Sequence, residues 1–336
     1  MSERVRVVLD AMGGDFAPVS TVEGAVLALK ESDQIEVTLV GIEDKINEEL
    51  GKYSDYDKDR LSIKGASEVI DFNDPPVMAI RKKKDSSLVV GMKMLKNDEG
   101  DAFVSAGSTG AILVGGQFVV GRIKGVDRAP LAPMLPTVNG MSLLIDCGAN
   151  MDAKPINLVQ FAKMGSVYME HIMGIKNPRV GIVNVGVEEE KGNKLVHETF
   201  PLLRDCTDIN FIGSVEAKEI PQGVCDVIVC DAFVGNVILK LYEGLGSTLL
   251  KLVKGAIMTN TRSKIGGALI KPALKEAIKG FNVTASDVGG APMLGLNGLV
   301  IKAHGSSDAK EIKNAILQCI SFTEENVNGL IKEHIN

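Results

Sequence analysis

The sequence predicts an α/β protein, a three-layer α/β/α sandwich built on a mainly parallel sheet. Two observations carry the prediction. Short β-branched runs alternate with helix-length segments along all 336 residues, which is the pattern of βαβ units with helices on both sheet faces. Thirty-six glycines and no tryptophan suit tight strand-to-helix turns. The length is ample for a large core, and residues 1–336 are expected to form a single α/β unit.

In chain order, Val5–Leu9 reads as a strand followed by a helix from about Ser20 to Glu31. Glu36–Val40 ends at Gly41 and precedes a helix over Glu43–Leu50, and Leu61–Lys64 is a short strand. Asp101–Ser105 reaches a glycine loop and a helix from about Gly110. Ser142–Ile145 meets Asp146-Cys147-Gly148-Ala149-Asn150. A helix over Leu158–Met173 precedes strand Arg179–Val185. Val224–Cys230 leads into Asp231, and Leu299–Lys302 into Ala303-His304. Asp55–Arg60 and Arg81–Asp85 are dense in charge and read as solvated surface.

Composition excludes several classes. Hydrophobic residues make up 45% and charged residues 24%, ordinary for a soluble globular protein. A net charge of −6 argues against a general nucleic-acid partner. The opening Met-Ser-Glu-Arg runs straight into a strand pattern, so no secretory leader is expected. No apolar run reaches the length of a membrane-spanning helix. Five cysteines without a CxxC pair read as reduced core residues and a cytoplasmic location.

In a parallel sheet all carboxyl ends share one edge, and ligands bind there. The residues at those ends are Asp10, Ser105, Asp146, Asn184, Asp231 and His304, all able to hydrogen-bond. The site is therefore expected on that edge. After the first strand, Gly13 and Gly14 shape a floor, with Asp10 and Asp15 orienting neighbours. In Ser105-Ala106-Gly107-Ser108-Thr109-Gly110, glycines let a backbone approach closely, and the helix start aims N–H groups at an anion. Ser108 and Thr109 serve either as substrate contacts or as helix caps. Lys191 and Asn193 close an acidic loop, where consecutive glutamates cannot all face one ion, so no metal is expected. Asp231 and Asn236 bracket another glycine turn, with Lys240 one helical turn on; they act in chemistry or cap the helix. Asn297 lies in a glycine-dense loop feeding the last strand. His304 sits at a strand end beside Ser306 and Asp308.

Absences sharpen the reading. No GxxxxGK[ST], no GxGxxG at the first helix, no GxSxG and no HExxH occurs. From Leu245 to Lys279, seven basic residues (Lys251, Lys254, Arg262, Lys264, Lys271, Lys275, Lys279) accompany one acid, Glu276. Leu245, Leu249, Leu252, Val253, Ala256 and Ile257 fall at helical spacing there. Ile265, Leu269, Ala273 and Ile278 form a second stripe. A basic amphipathic helical hairpin over 245–280, protruding from the α/β unit, suits an anionic membrane surface, an acidic protein partner or a second copy of the chain.

Seven motifs occur in order over nearly the whole chain: DAMGGDFAP (10–18), SAGSTGA (105–111), DCGAN (146–150), VNVG with EEEKGN (183–193), FVGNVILK (233–240), GGAPMLGLNG (289–298) and KAHGSSD (302–308). Together they resemble the bacterial acyl-ACP:phosphate acyltransferases of phospholipid synthesis. The resemblance implies transfer of a fatty acyl group from acyl carrier protein to inorganic phosphate. It also implies a fold similar to phosphotransacetylases and isocitrate-dehydrogenase-like enzymes, a homodimer, and peripheral attachment to the cytoplasmic membrane. No cofactor is implied, because phosphate is itself the nucleophile. His304, Asp231, Asn236 and Lys191 are the catalytic candidates. Asp10, Gly13, Gly14, Asp15, Ser105, Gly107, Ser108, Thr109, Asn150, Asn193, Lys240 and Asn297 are the substrate-binding candidates. Lys191, Lys240, Arg122 or Arg128 would hold phosphate. Position 108 is Ser where the family usually has Asn, and 232 is Ala where Gly is common. Arg128-Ala129-Pro130 inverts the usual Pro-Ala order, and Val288 stands where an aromatic is frequent. A phosphotransacetylase acting on acyl-CoA and a non-catalytic membrane-associated scaffold are the competing readings.

Overall fold

The structure, a computed structural model, describes residues 4–279 and 289–335. Its first elements are β1 (Val5–Asp10), α1 (Val19–Glu31), β2 (Ile35–Gly41), α2 (Glu43–Leu50), β3 (Leu61–Gly65), α3 (Pro76–Lys82), α4 (Ser87–Lys96), β4 (Ala102–Ser105) and α5 (Thr109–Gly115). They are followed by β5 (Met134–Thr137), β6 (Gly140–Ile145), α6 (Pro155–His171), β7 (Arg179–Asn184), α7 (Lys194–Arg204), β8 (Asn210–Glu216) and β9 (Val227–Val229). Next come α8 (Ala232–Met258), α9 (Thr261–Lys279), β10 (Ala291–Met293), β11 (Leu299–Lys302), α10 (Ala309–Glu324) and α11 (Val327–Ile335).

The class is α/β and the pairing mainly parallel, as expected, but the strands divide between two sheets. One has the order β10-β11-β4-β1-β2-β3 and the other β5-β6-β9-β7-β8. Among the strands of the described residues, the pairs β10–β11 and β5–β6 are antiparallel and the others parallel. Two compact units result among the described residues: 4–133, 163–177 and 289–335 in the first, 134–162 and 178–279 in the second.

In the first unit Val7, Val8 and Leu9 of β1 are buried. A continuous apolar run is what a parallel strand covered on both faces requires. Each such side chain contributes about 1.5–3 kcal/mol of transfer free energy. Arg60 departs from the surface reading of its charged stretch. It is buried, and its guanidinium donates to the carbonyls of Leu29 and Ser32 (2.7 Å each) and to Asp57 (2.8 Å). A cation at those carbonyls satisfies the open end of α1 and complements its dipole.

In the second unit β9 is shorter than the 224–230 run, and side chains add to the backbone bonding at its start. The Ser142 hydroxyl donates to the Cys225 carbonyl (2.7 Å), and Asp226 accepts from the backbone and guanidinium of Arg179 (2.7–3.0 Å). Cys147, Cys225, Cys230 and Cys319 are buried thiols and Cys206 is half-buried. Helices α8 and α9 pack against each other, with Ile257 against Gly267. Leu245, Leu249, Leu252, Val253, Ile265 and Leu269 all lie exposed on them. Gly280, Val288 and the side chains of Lys275, Ile278 and Lys279 lie outside the described residues. Among the described residues no helix is long and apolar enough to cross a membrane.

Candidate active site

The expected single edge becomes two, one on each sheet. In the first sheet β11, β4 and β1 are neighbours, so His304, Ser105 and Asp10 follow three adjacent carboxyl ends. Asp10 is buried and organises the loops around it. The Ser105 hydroxyl donates to its carboxylate (2.7 Å), and the Gly107 amide donates to the Ser105 oxygen (3.0 Å). The Met12 amide reaches the other carboxylate oxygen (3.2 Å). Gly13 is required where these meet. A Cβ there would lie 2.6 Å from Asp10 Oδ2, 2.8 Å from the Gly107 nitrogen and 2.9 Å from Ser105 Oγ. Gly14 faces Ala106 and the Gly305 carbonyl, and the Asp15 amide donates to that carbonyl (2.8 Å). The expected floor of glycines is thus tied to both neighbouring loops.

Ser108 is buried at the N-cap of α5, yet its hydroxyl caps no amide of that helix. Thr109 begins the helix. His304 is exposed, and its Nδ1 lies 2.8 Å from Ser306 Oγ and 3.2 Å from the Ser306 amide nitrogen. The amide can only donate, so Nδ1 accepts and the neutral ring carries its proton on Nε2. Asp308, expected beside the histidine, instead caps α10, accepting from the Glu311 amide (2.9 Å). Asn297 does not join this group. It lies at the amino end of β11, where its side chain donates to the Arg122 carbonyl (3.0 Å). Arg122 shares that opposite edge.

Burial is the main cause that raises the carboxyl of Asp10 above its ordinary value, while bonds from Ser87, Ser105, Met12 and Gly13 pull it down. Ser87 went unnoticed in the sequence because it opens a helix that no strand-end motif flags. An acid raised in the folded state costs stability when ionised. The cost is absent below the unfolded value and complete above the folded one. Asp10→Asn is therefore expected to gain stability relative to wild type as pH rises through that window. Urea midpoints at a series of pH values check this, and a pH-independent difference would contradict it.

In the second sheet β6, β9 and β7 are neighbours, so Asp146, Asp231 and Asn184 follow adjacent ends. Asp146 is buried and accepts from the backbone and side chain of Asn150 (2.7 Å each). The Asn150 carbonyl accepts from the Ala232 amide (3.3 Å). One oxygen of Asp231 takes the amides of Phe233 and Val234 (2.9 and 3.1 Å), so Asp231 caps α8, a contribution of about 1 kcal/mol. Asn236 is half-buried on the first turn, facing Gly148. Lys240 lies one turn further on the same face and pairs with Glu243 (2.7 Å).

Asn184 braces the acidic loop by donating to the Lys191 carbonyl (2.9 Å). Lys191 pairs with Glu188 (2.9 Å) and Arg204 with Glu189 (3.3 Å). Asn193 caps α7 through the Val196 amide (2.9 Å). The second unit thus gathers Asn150, Asp231 and Asn236 at one loop cluster, with Lys191 and Asn193 at the neighbouring strand end. Both lysines sit in exposed local ion pairs that solvent screens, which an incoming anion can displace.

The comparisons agree with the motif order. Residues 5–330 match the family described as fatty acid synthesis protein. The chain is 51% identical over 331 residues to the phosphate acyltransferase of Clostridium novyi (strain NT), covering 98% of each chain. It is 52% identical to the phosphate acyltransferase of Alkaliphilus oremlandii (strain OhILAs), covering 99% of this chain and 98% of that one. In fold it is similar to a phosphotransacetylase from Streptococcus pyogenes, with a TM-score of 0.63 at 17% identity over 97% of this chain and 95% of that one. With the glycine-floored strand ends and their order along the chain, these matches place the protein: it belongs to the fatty acid synthesis protein family, among relatives named phosphate acyltransferases.

Proposed function

We propose that the protein transfers a fatty acyl group from acyl carrier protein to inorganic phosphate. The observation that carries the reading is near-full-length identity of about one half to two proteins named phosphate acyltransferase. The loop geometry accords with it. A phosphate oxygen attacks the thioester carbonyl carbon. The oxygen–carbon bond forms, the carbon–sulfur bond breaks, and the carrier thiolate leaves with the electron pair and takes up a proton. No protein nucleophile is needed. The backbone N–H groups of 105–110, with the hydroxyls of Ser108 and Thr109, meet the charge that develops on oxygen. Within the second unit by itself, Lys191 and Lys240 are the candidate anion contacts once released from their local glutamates, with Asn150, Asn193 and Asn236 as further polar contacts. The proton that hydrogen phosphate loses on bonding to carbon goes to the departing sulfur, and the Nε2–H of His304 donates a hydrogen bond to that sulfur as its charge develops. Asp231 presents α8, and Asp10 and Asp15 fix the loops rather than meeting the anion.

The test is phosphate-dependent release of carrier thiol by the pure protein, with long-chain acyl carrier protein and acetyl-CoA compared as donors. Preference for the carrier thioester supports the reading. Preference for acetyl-CoA points to a phosphotransacetylase, and no release from any donor removes the enzyme reading in favour of a scaffold.

The α8–α9 hairpin is proposed to serve peripheral membrane contact at the cytoplasmic face and homodimer contact. Its exposed leucines and its lysines support this, since apolar burial and attraction to anionic lipid add. Reversing charge at Lys251, Lys254 and Lys271 is expected to reduce flotation with anionic liposomes while soluble turnover changes less. Unchanged flotation would refute the membrane role.

A further inference from the structure

A second exposed apolar surface lies in the first unit, away from the hairpin in sequence. Phe16, Phe72, Val77 and Met78 are 55%, 52%, 52% and 43% exposed. Contacts with the loops of the candidate site tie them together. The ring edge of Phe72 lies 3.3 Å from where a side chain on Gly305 would begin, and that point is 3.9 Å from the Ala106 carbonyl oxygen. Gly305 directly follows His304. Phe16 follows Asp15, whose amide bonds the Gly305 carbonyl (2.8 Å). Val77 and Met78 follow Pro76, whose Cγ lies 2.6 Å from a Cβ built on Gly110. Phe72 and Phe16 therefore border the histidine loop, while Val77 and Met78 lie exposed on α3.

The turn carrying Phe72 is braced. The Asp71 amide donates to Asp74 (2.8 Å), the Asp74 amide returns to the Asp71 carbonyl (3.1 Å), and Lys83 bonds both Asp74 (2.6 Å) and the Val69 carbonyl (2.8 Å). A phenyl ring held half in water by a tied turn is costly unless something covers it. The charges beside it select the occupant. Exposed Asp15 adjoins Phe16, which disfavours a free fatty carboxylate there, while Asp71 beside Phe72 has Lys83 at 4.0 Å. An uncharged hydrocarbon tail carries no such penalty.

We infer that Phe72, with Phe16, forms the surface that receives the alkyl chain of the acyl donor and sets its preferred length. This rests on the acyl-transfer reading above. The thioester carbonyl would then lie at the 105–110 loop, with the chain running along the exposed face of the Phe72 ring.

The experiment measures kcat/KM for carrier thioesters of increasing chain length with wild type, Phe72→Ala and Phe72→Leu. It is paired with calorimetric binding of dodecyl-pantetheine thioether, a neutral donor analogue that cannot be cleaved. For F72A the longest donors are expected to lose about tenfold more than the shortest, in line with what apolar contacts discriminate, with F72L intermediate. Thioether binding is expected to weaken in parallel. Equal losses at every length, or unchanged thioether binding in F72A, would overturn the inference and leave the acyl-transfer reading standing. Wild type that turns over no donor yet binds the thioether in a Phe72-dependent way would overturn that reading and retain the chain-binding surface.

Discussion

Replacing Gly235 with alanine is expected to cost about 3 kcal/mol or more of folding free energy. Helix propensity alone predicts the opposite sign, because alanine is better than glycine in a helix by about 1 kcal/mol. The new methyl would lie 2.0 Å from the backbone oxygen of Asp146 and 3.1 Å from Cys230 Sγ. Neither neighbour can withdraw. The Asp146 amide bonds the Cys230 carbonyl (3.0 Å) and the Cys230 amide bonds the Ile145 carbonyl (2.9 Å), so the oxygen is fixed in the sheet. Asp231 holds the first turn of α8 in place from the other side. Gly255, on the same helix with no heavy atom within 4 Å of a built Cβ, is the control. Its alanine variant is expected to gain about 0.5–1 kcal/mol. Urea unfolding of both variants decides the matter, and a G235A midpoint at or above wild type would contradict the steric argument.

His304→Ala is expected to lower kcat for acyl transfer by about a hundredfold or more, with the KM for phosphate changed much less. The ring is held by Ser306 through Nδ1 and presents an N–H at Nε2, the arrangement of a donor to a leaving group. Ser306→Ala should lose less, since the ring stays present and only its orientation is freed. Steady-state kinetics on variants that unfold at the wild-type midpoint give the answer. More than a tenth of wild-type kcat in H304A would remove the hydrogen-bond-donor role from this residue.

The strands were legible because both faces of a parallel sheet are buried, so Val5–Leu9 or Arg179–Val185 announces itself as an apolar run. The polar residues just beyond those runs, such as Asp10, Ser105 and Asp231, could be read for the same reason. Partition into two sheets was not legible. Nothing in an apolar run names its neighbour, and β4 pairs with β11 across most of the chain. Arg60 was misread because a charged stretch looks the same whether its guanidinium meets water or the carbonyls ending α1. Asn297 was read as a substrate contact in the loop feeding the last strand, yet that strand delivers it and His304 to opposite edges. Phe72 gave no signal, since an isolated aromatic in a loop has no periodicity.

The strand order of the first sheet bears on how the protein is made. β4 lies between β1 and β11, but β11 leaves the ribosome only after every strand of the second sheet. Until then the hydrogen-bonding groups of Ala102–Ser105 have one side unpaired, in a segment whose four side chains are all buried in the finished protein. An apolar strand with an open edge is a template for pairing with other chains. The last strand to be synthesised therefore closes the sheet edge as well as delivering His304, so a nascent chain that lacks the histidine is also the one most exposed to misassembly.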